Sequence, residues 1–341
     1  MNITRWVAFA AVALTIASGC GGGESEAKSE DKVPIKIAVA AATPVFGQPY
    51  IAQAQGYWED EGIDVELIDN SGSNTLNMVA SGQADLGMIG APAPLLLAVQ
   101  GKDSKIIYSP QGGPGGGMLV AGPNVGSVED LKGGRIGSLG KGTSMFGHAT
   151  IYNDKFNLDA DIIPFQTNAA LAGALQAGRV DAATGPFDTF AEMIESQKAK
   201  ILVDTRDKVE REKLLGQDYP EGAVFGLTET LESKRADIVK VLAGFDRALE
   251  DFQTMSPENL AKVLSSEKVF ATIPMGDLAT YVKSATNYVG LNDGYVLEDS
   301  WKYTVSRYVT WGLPDLDPDS PTLSFDKRVD MSFLDEARSK N

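Results

Sequence analysis

Gly140-Lys-Gly-Thr-Ser144 is the stretch whose residue types best suit gripping a small polar or anionic molecule. Gly140 and Gly142 let backbone N–H groups turn outward, and Thr143 and Ser144 add hydroxyls. The helix expected to follow offers an N-terminus that favours negative charge. The same two hydroxyls can cap that helix, and capping coexists with ligand contact. Lys141 could pair with an anion or stand solvated at the surface. Gly90-Ala-Pro92 is a second bare loop, after an apolar segment. Gly185-Pro-Phe-Asp188 is a third, in which Asp188 could accept a hydrogen bond from an amino group or simply favour its own helix N-terminus. Thr43 and Gln48 offer hydrogen bonds, while Phe46 and Tyr50 offer either stacking faces or core packing. Asn70, Ser71, Ser73 and Asn74 are turn and cap types; of these Ser73 is retained as a candidate contact, as are Gln166 and Thr184 at expected strand ends.

Several chemistries are excluded by spacing. A P-loop needs Ser or Thr directly after Gly-Lys, and Gly142 stands there instead. No glycine trio sits between a strand and a helix as a dinucleotide fingerprint. The single histidine, His148, falls inside an expected helix, and one His with one Cys makes neither a zinc site nor a nucleophile–histidine triad. Carboxylates are plentiful but show no spacing that marks paired acid–base work. No metal, cofactor or catalytic residue is therefore expected. The formal charge of −16 argues against nucleic acid, which needs a basic footprint, and gives no long-range attraction to anions.

These loops need elements to hold them. At 341 residues the chain is long enough for two lobes. Leu76, Val79 and Ala80 fall at helical spacing, Ser81-Gly82 stops that helix, and 84–89 reads as a short apolar strand. Around this unit, strands over 35–40, 65–68 and 105–108 alternate with helices, including one over 50–58 with Gly56 near its end. Gln111-Gly-Gly-Pro-Gly-Gly-Gly117 is the most irregular segment, serving either a hinge or close backbone approach to a ligand. A strand at 118–121 leads into a second lobe with strands over 135–138, 162–165, 180–183 and 200–203 and helices over 143–156, 168–177 and 187–197. The chain returns at 223–228 and is then mostly helical, over 238–252, 257–264, 277–288 and 299–311. This alternation predicts an α/β fold of βαβ units with mostly parallel sheets, whose strand-end loops face one cleft. Trp58 is expected to serve packing.

At the N-terminus, Arg5 precedes an apolar run over 6–16 and small residues up to Cys20, the layout of an export signal over 1–19, too short for a stable membrane span. Ala17-Ser-Gly-Cys20 resembles a bacterial lipobox, with Ala17 where Leu is commonest, so Cys20 is expected to carry lipid. Residues 20–33 form a polar, glycine-led linker.

The blocks Pro49-Tyr-Ile-Ala-Gln-Ala-Gln-Gly-Tyr-Trp58 through Leu67, Ala80-Ser-Gly-Gln-Ala-Asp-Leu-Gly87, Asp130-Leu-Lys-Gly-Gly-Arg-Ile-Gly137 and 170–183 together resemble the solute-binding proteins of ABC importers. The branch is the one handling nitrate, sulfonates, taurine and thiamine pyrimidine precursors. The resemblance covers roughly residues 34–310. It implies a two-lobed type II periplasmic-binding-protein clamshell, with lobe I over 34–117 and 223–341, lobe II over 118–222, and a helical C-terminal part. It further implies a monomer that captures a small solute between its lobes and delivers it to a permease and its ATPase. Related enzymes on this fold, thiamine-pyrimidine synthases and menaquinone-pathway dehydratases, stand as the alternative. A secreted sensor is a third, without a second module to carry a signal.

Overall fold

The computed structural model describes residues 33–70, 72–141, 143–310 and 317–340. The export segment, Cys20 and its linker up to Lys32, Ser71, Gly142, Trp311 and the Ser73 side chain lie outside the described residues.

Among the described residues, ten strands form two five-stranded sheets. β1 (Ile35–Val39), β2 (Val65–Asp69), β3 (Leu86–Gly90) and β4 (Ser104–Tyr108) belong to the first. β5 (Met118–Ala121), β6 (Arg135–Leu139), β7 (Asp161–Phe165), β8 (Ala182–Gly185) and β9 (Lys200–Val203) make the second, and β10 (Gly222–Leu227) returns to the first. The orders are β2-β1-β3-β10-β4 and β7-β6-β8-β5-β9. β1 pairs in parallel with β2 and β3, and β6 with β7 and β8. β10 runs antiparallel between β3 and β4, and β5 antiparallel between β8 and β9. The reversed strand in each sheet is thus the first one laid down after the chain crosses over. Central strands such as β1 are buried on both faces, which is why they read as continuous apolar runs. This is the α/β clamshell that the sequence predicts.

The core of the first lobe is built around the helix Arg235–Thr254, which buries Ile238, Val241, Leu242, Phe245, Leu249 and Phe252. Trp58 lies against it, donating from Nε1 to the Val241 carbonyl at 3.1 Å, beside Gly244, where a Cβ would meet the indole nitrogen at 2.3 Å. Tyr108 stacks on Phe245 at 5.6 Å. Tyr50 is core: its ring meets Phe270 edge-on and its hydroxyl donates to Asp69.

Local departures from the sequence expectations have physical causes. The single helix expected over 50–58 is two, Gln48–Ala54 and Tyr57–Asp60, because Gly56 adopts the left-handed φ of 70° between them. The helix Lys208–Leu215 had too few apolar residues to be read; it is capped by Asp207 and buries Arg211, Leu214 and Leu215. Ser332–Ser339 is a further helix beyond those expected, and packs Phe333, Leu334 and Ala337 inward.

The polyglycine segment is fully buried, with no left-handed φ among Gly112, Gly113, Gly115, Gly116 and Gly117. Its glycines are there because side chains lie directly on the backbone. A Cβ on Gly115 would meet the Tyr288 ring at 2.1 Å, and one on Gly117 would meet His148 Nδ1 at 1.6 Å. The Tyr152 hydroxyl donates to the Gly117 carbonyl, fixing the strap from the other side. Overpacking here is expected to cost about 1–3 kcal/mol. Gly117→Ala should therefore lower the urea midpoint clearly. Gly173→Ala, in a helix interior with open space around it, should raise stability by about 0.5–1 kcal/mol. Equal midpoints for the two variants would contradict the packing account.

Candidate functional site

The C-terminal ends of the parallel strands in both sheets open onto one cleft of about 400 Å³, the size of a small-molecule pocket. Its walls come from the loops after β1 (Ala40, Ala41, Thr43, Phe46), β3 (Gly90, Pro92) and β4 (Gln111, Gly116) on one side. On the other are those after β6 (Leu139, Lys141, Thr143, Ser144), β7 (Gln166, Thr167, Asn168) and β8 (Pro186). Glu221, just before β10, joins them because that strand is reversed and begins at the same edge. A larger open depression of about 700 Å³ lies by Arg247, Asp246 and Arg338. Both of its arginines are already paired, Arg338 with Asp246 and Arg247 with the neighbouring Asp60 at 2.9 Å. The cleft is the better candidate.

Of the residues singled out in the sequence, Thr43, Phe46, Gly90, Pro92, Thr143, Ser144 and Gln166 line the cleft. Thr143 also caps its helix, accepting from the Phe146 N–H at 3.2 Å and donating to the Gly140 carbonyl at 2.8 Å. Gln48, Ala91 and Thr184 do not line it. Gln48 is buried beneath, reaching the Pro110 carbonyl at 3.5 Å. Ala91 is buried, its N–H donating to the Glu221 carbonyl at 2.8 Å. Thr184 is buried, donating to the Met145 carbonyl at 3.0 Å. Asp188 stands beyond Pro186, off the cleft. Burial of its carboxyl group raises its pKa to about 6, although the residue as a whole keeps partial exposure, and its backbone N–H bonds oppose that rise. Beside it Phe187 meets Tyr281 at 6.4 Å, Arg206 lies over the Phe187 ring, and Arg206 donates to Ser284 at 3.3 Å, a contact that ties the second lobe to the helix Met275–Ala285.

Glu221 is the functional-looking residue that the sequence reading missed. It is 2% exposed and is the one carboxylate among the described residues lining the cleft; Lys141 is the one cation. Glu221 Oε2 accepts from the Gly116 N–H at 3.2 Å, and the Ser144 hydroxyl also bonds the carboxyl group. Oε1 has no hydrogen-bond partner among the described residues and stands 3.6 Å from His148 Nδ1, itself without one. Burial raises the Glu221 pKa to about 7, against the opposing pull of the Gly116 and Ser144 bonds and the Arg211 charge. Burial lowers that of His148 to about 3, so the imidazole is neutral at pH 7 and the 3.6 Å approach is no ion pair. The other His148 nitrogen, Nε2, pairs with the Tyr219 hydroxyl at 3.0 Å. A signal for Glu221 existed in Tyr219-Pro-Glu-Gly222, directly ahead of the return strand, but only reversal of that strand puts it at the cleft.

This is the architecture of the periplasmic binding proteins. Similar folds are found in a structure from Bordetella bronchiseptica RB50 (21% identity, 91% of this chain and 98% of that one, TM-score 0.77) and the periplasmic nitrate-binding protein NrtA from Synechocystis PCC 6803 (15%, 90% and 88%, 0.72). The periplasmic aliphatic sulphonate binding protein SsuA from Escherichia coli is another (18%, 88% and 91%, 0.65). The family described as NMT1/THI5 like matches residues 43–259, and the chain belongs to that family. A curated relative, the 4-amino-5-hydroxymethyl-2-methylpyrimidine phosphate synthase of Schizosaccharomyces pombe, is 28% identical over 149 residues. The match spans 42% of this chain and 42% of the relative.

The shifted groups give stability a defined pH dependence. Folded Glu221 holds a proton up to about 7 that an unfolded glutamate releases near 4.5, so stability falls as pH rises through that window and levels off above it. Asp188 acts in the same direction between 3.8 and about 6. His148 acts oppositely: the unfolded ring takes up a proton near 6.5, the buried one only near 3, so stability falls as pH drops between those values. Glu221→Gln should therefore gain on wild type between pH 4.5 and 8, by an amount on the order of 1–3 kcal/mol, read from urea unfolding at several pH values. A stability difference that stays constant with pH would refute this assignment.

Proposed function

We propose that the protein is an extracytoplasmic solute-binding protein of an ABC importer, held at the membrane by lipid on Cys20 after removal of residues 1–19. It captures a small polar organic solute or anion between its lobes and presents the closed form to a permease and its ATPase. The observation that carries this reading is the convergence of strand-end loops from both sheets on one small cleft. In it the N-termini of the helices Ser144–Lys155 and Asn168–Gln176 stand on one side, where backbone donors favour an anion. The roles of the similar structures, nitrate and aliphatic sulphonate binding, support the same class.

Thr43, Phe46, Gly90, Pro92, Thr143, Ser144 and Gln166, with Glu221, Lys141 and Gln111 added, are the proposed contacts. Binding requires no covalent step: lobe closure excludes water, and aligned hydrogen bonds supply affinity. The lobe boundaries we propose are 34–117 with 223–341, and 118–222. The monomeric state is likewise proposed.

The synthase relative favours a second reading, an enzyme on the same fold. Against it stands the position of His148, sealed at 0% exposure beneath the cleft wall and neutral.

A thermal-shift screen of residues 21–341 tests the receptor reading. The panel is nitrate, alkyl and aryl sulfonates, taurine, aminopyrimidine precursors and aromatic carboxylates. A ligand held by the folded state alone raises the melting temperature by mass action, so a saturating solute should give a clear upward shift. Turnover of any panel member, or no shift from any of them, would sink it.

A further inference from the structure

Two buried atoms that face each other at the cleft wall, Glu221 Oε1 and His148 Nδ1, stand 3.6 Å apart and have no hydrogen-bond partner among the described residues; Asn168 Oδ1, on the opposite wall, is a third such atom, with no titratable group of its own. A carboxylate at that point would be a desolvated charge whose neighbour 3.6 Å away is an imidazole that burial keeps neutral, so no counter-charge there offsets the loss of water, an arrangement that is costly in a low-dielectric interior. A proton on the carboxyl group removes the charge and turns Oε1 toward a waiting lone pair. His148 can offer that lone pair when its Nε2 carries the hydrogen toward the Tyr219 hydroxyl.

The surroundings decide which solute such an acid suits. Lys141 is the one cation among the described residues lining the cleft, and the lobe II helices Ser144–Lys155 and Asn168–Gln176 begin at its wall, so local dipoles favour negative charge in a protein of formal charge −16. An ionised Glu221 in the same wall would repel an anion across a few ångströms of poorly screened space. Resting on the receptor reading above, we propose that Glu221 is the specificity-determining residue of the cleft and that an oxyanion-bearing solute is captured together with a proton held on its carboxyl group.

The groups that face this carboxyl set where the proton leaves. Arg211, from the helix Lys208–Leu215, favours ionisation, as do the Gly116 N–H and the Ser144 hydroxyl; burial opposes them and prevails, bringing the acid to about pH 7. Tyr152, Tyr219, Tyr288 and Tyr308 all feel the Glu221 charge, and all are held neutral by burial throughout the physiological range. Asp188 loses its proton near 6, a unit lower and off the cleft wall. Glu221 is therefore the one lining group among the described residues whose charge changes across neutrality.

The test is the pH dependence of binding, measured by calorimetry from pH 6 to 8.5 with nitrate, an alkanesulfonate, taurine and benzoate, and with a cationic aminopyrimidine for contrast. For wild type, the dissociation constant of an oxyanion should rise about tenfold per pH unit above 7 and be flat below it. Glu221→Gln, neutral at every pH, should bind the same oxyanion without that slope. Infrared difference spectra of wild type against Glu221→Gln at pH 6 provide a readout that needs no ligand: a protonated carboxyl C=O band should be present in wild type and missing from the variant. Binding of an oxyanion with no pH slope, a slope that survives in Glu221→Gln, no carboxylic acid band, or preferential capture of the cation with rising pH would each overturn the proposal. The last of these would leave the receptor reading standing. No binding by any member of the panel would overturn both.

Discussion

A single buried side chain holds together the parts that make the cleft. Glu221 receives the Gly116 N–H from the first crossing and the Ser144 hydroxyl from the second lobe, while its backbone carbonyl receives Ala91 from the first. Its own N–H reaches the Gln111 carbonyl, and next to it the Ser109 hydroxyl donates to the Gly222 carbonyl. Both crossings and both lobes therefore meet at one residue. The constraint is electrostatic as much as geometric: a carboxyl group so surrounded is kept out of water, and that burial raises its affinity for a proton.

On the proposed reading, the same constraint explains how an acidic protein would present a cleft suited to negative charge. Net charge acts over long distances and is screened by salt, whereas helix N-termini act within the first turn and across a few ångströms. Lys141 and the dipoles of the second lobe act inside the cleft, while much of the acidic surplus sits elsewhere on the surface. The Asp246–Arg338 and Asp60–Arg247 pairs show some of those outer charges neutralising each other.

The fold was largely legible in the sequence because its signals are local. Glycine stops such as Gly82, apolar strands such as β3, and caps such as Thr143 each announce themselves within a few residues. Backbone loops of the cleft followed directly, since every parallel strand must end at one edge. What escaped was set by tertiary placement. Gln48 and Thr184 are polar residues near strand ends, and nothing local reveals that each turns inward to a backbone carbonyl. Glu221 immediately precedes β10, a strand whose direction is fixed by its neighbours β3 and β4, more than a hundred residues away in sequence. The polyglycine run posed a choice between flexibility and close approach to a ligand. The answer lay in Tyr288 and His148, whose rings rest on its backbone, and no periodicity could place them there.

The strand order of the first sheet has a consequence for how the molecule is made. β10 lies between β3 and β4, so that sheet has an open seam until residue 227 has been synthesised, whereas every strand of the second sheet falls within residues 118–203. The inner segment can close its sheet from one continuous stretch; the outer one must wait and then join segments far apart in the chain, at a greater cost in loop entropy. A nascent chain thus passes through a stage with a completed second sheet flanked by unpaired edges of the first. That interval is the one in which the polypeptide is most exposed to misassociation.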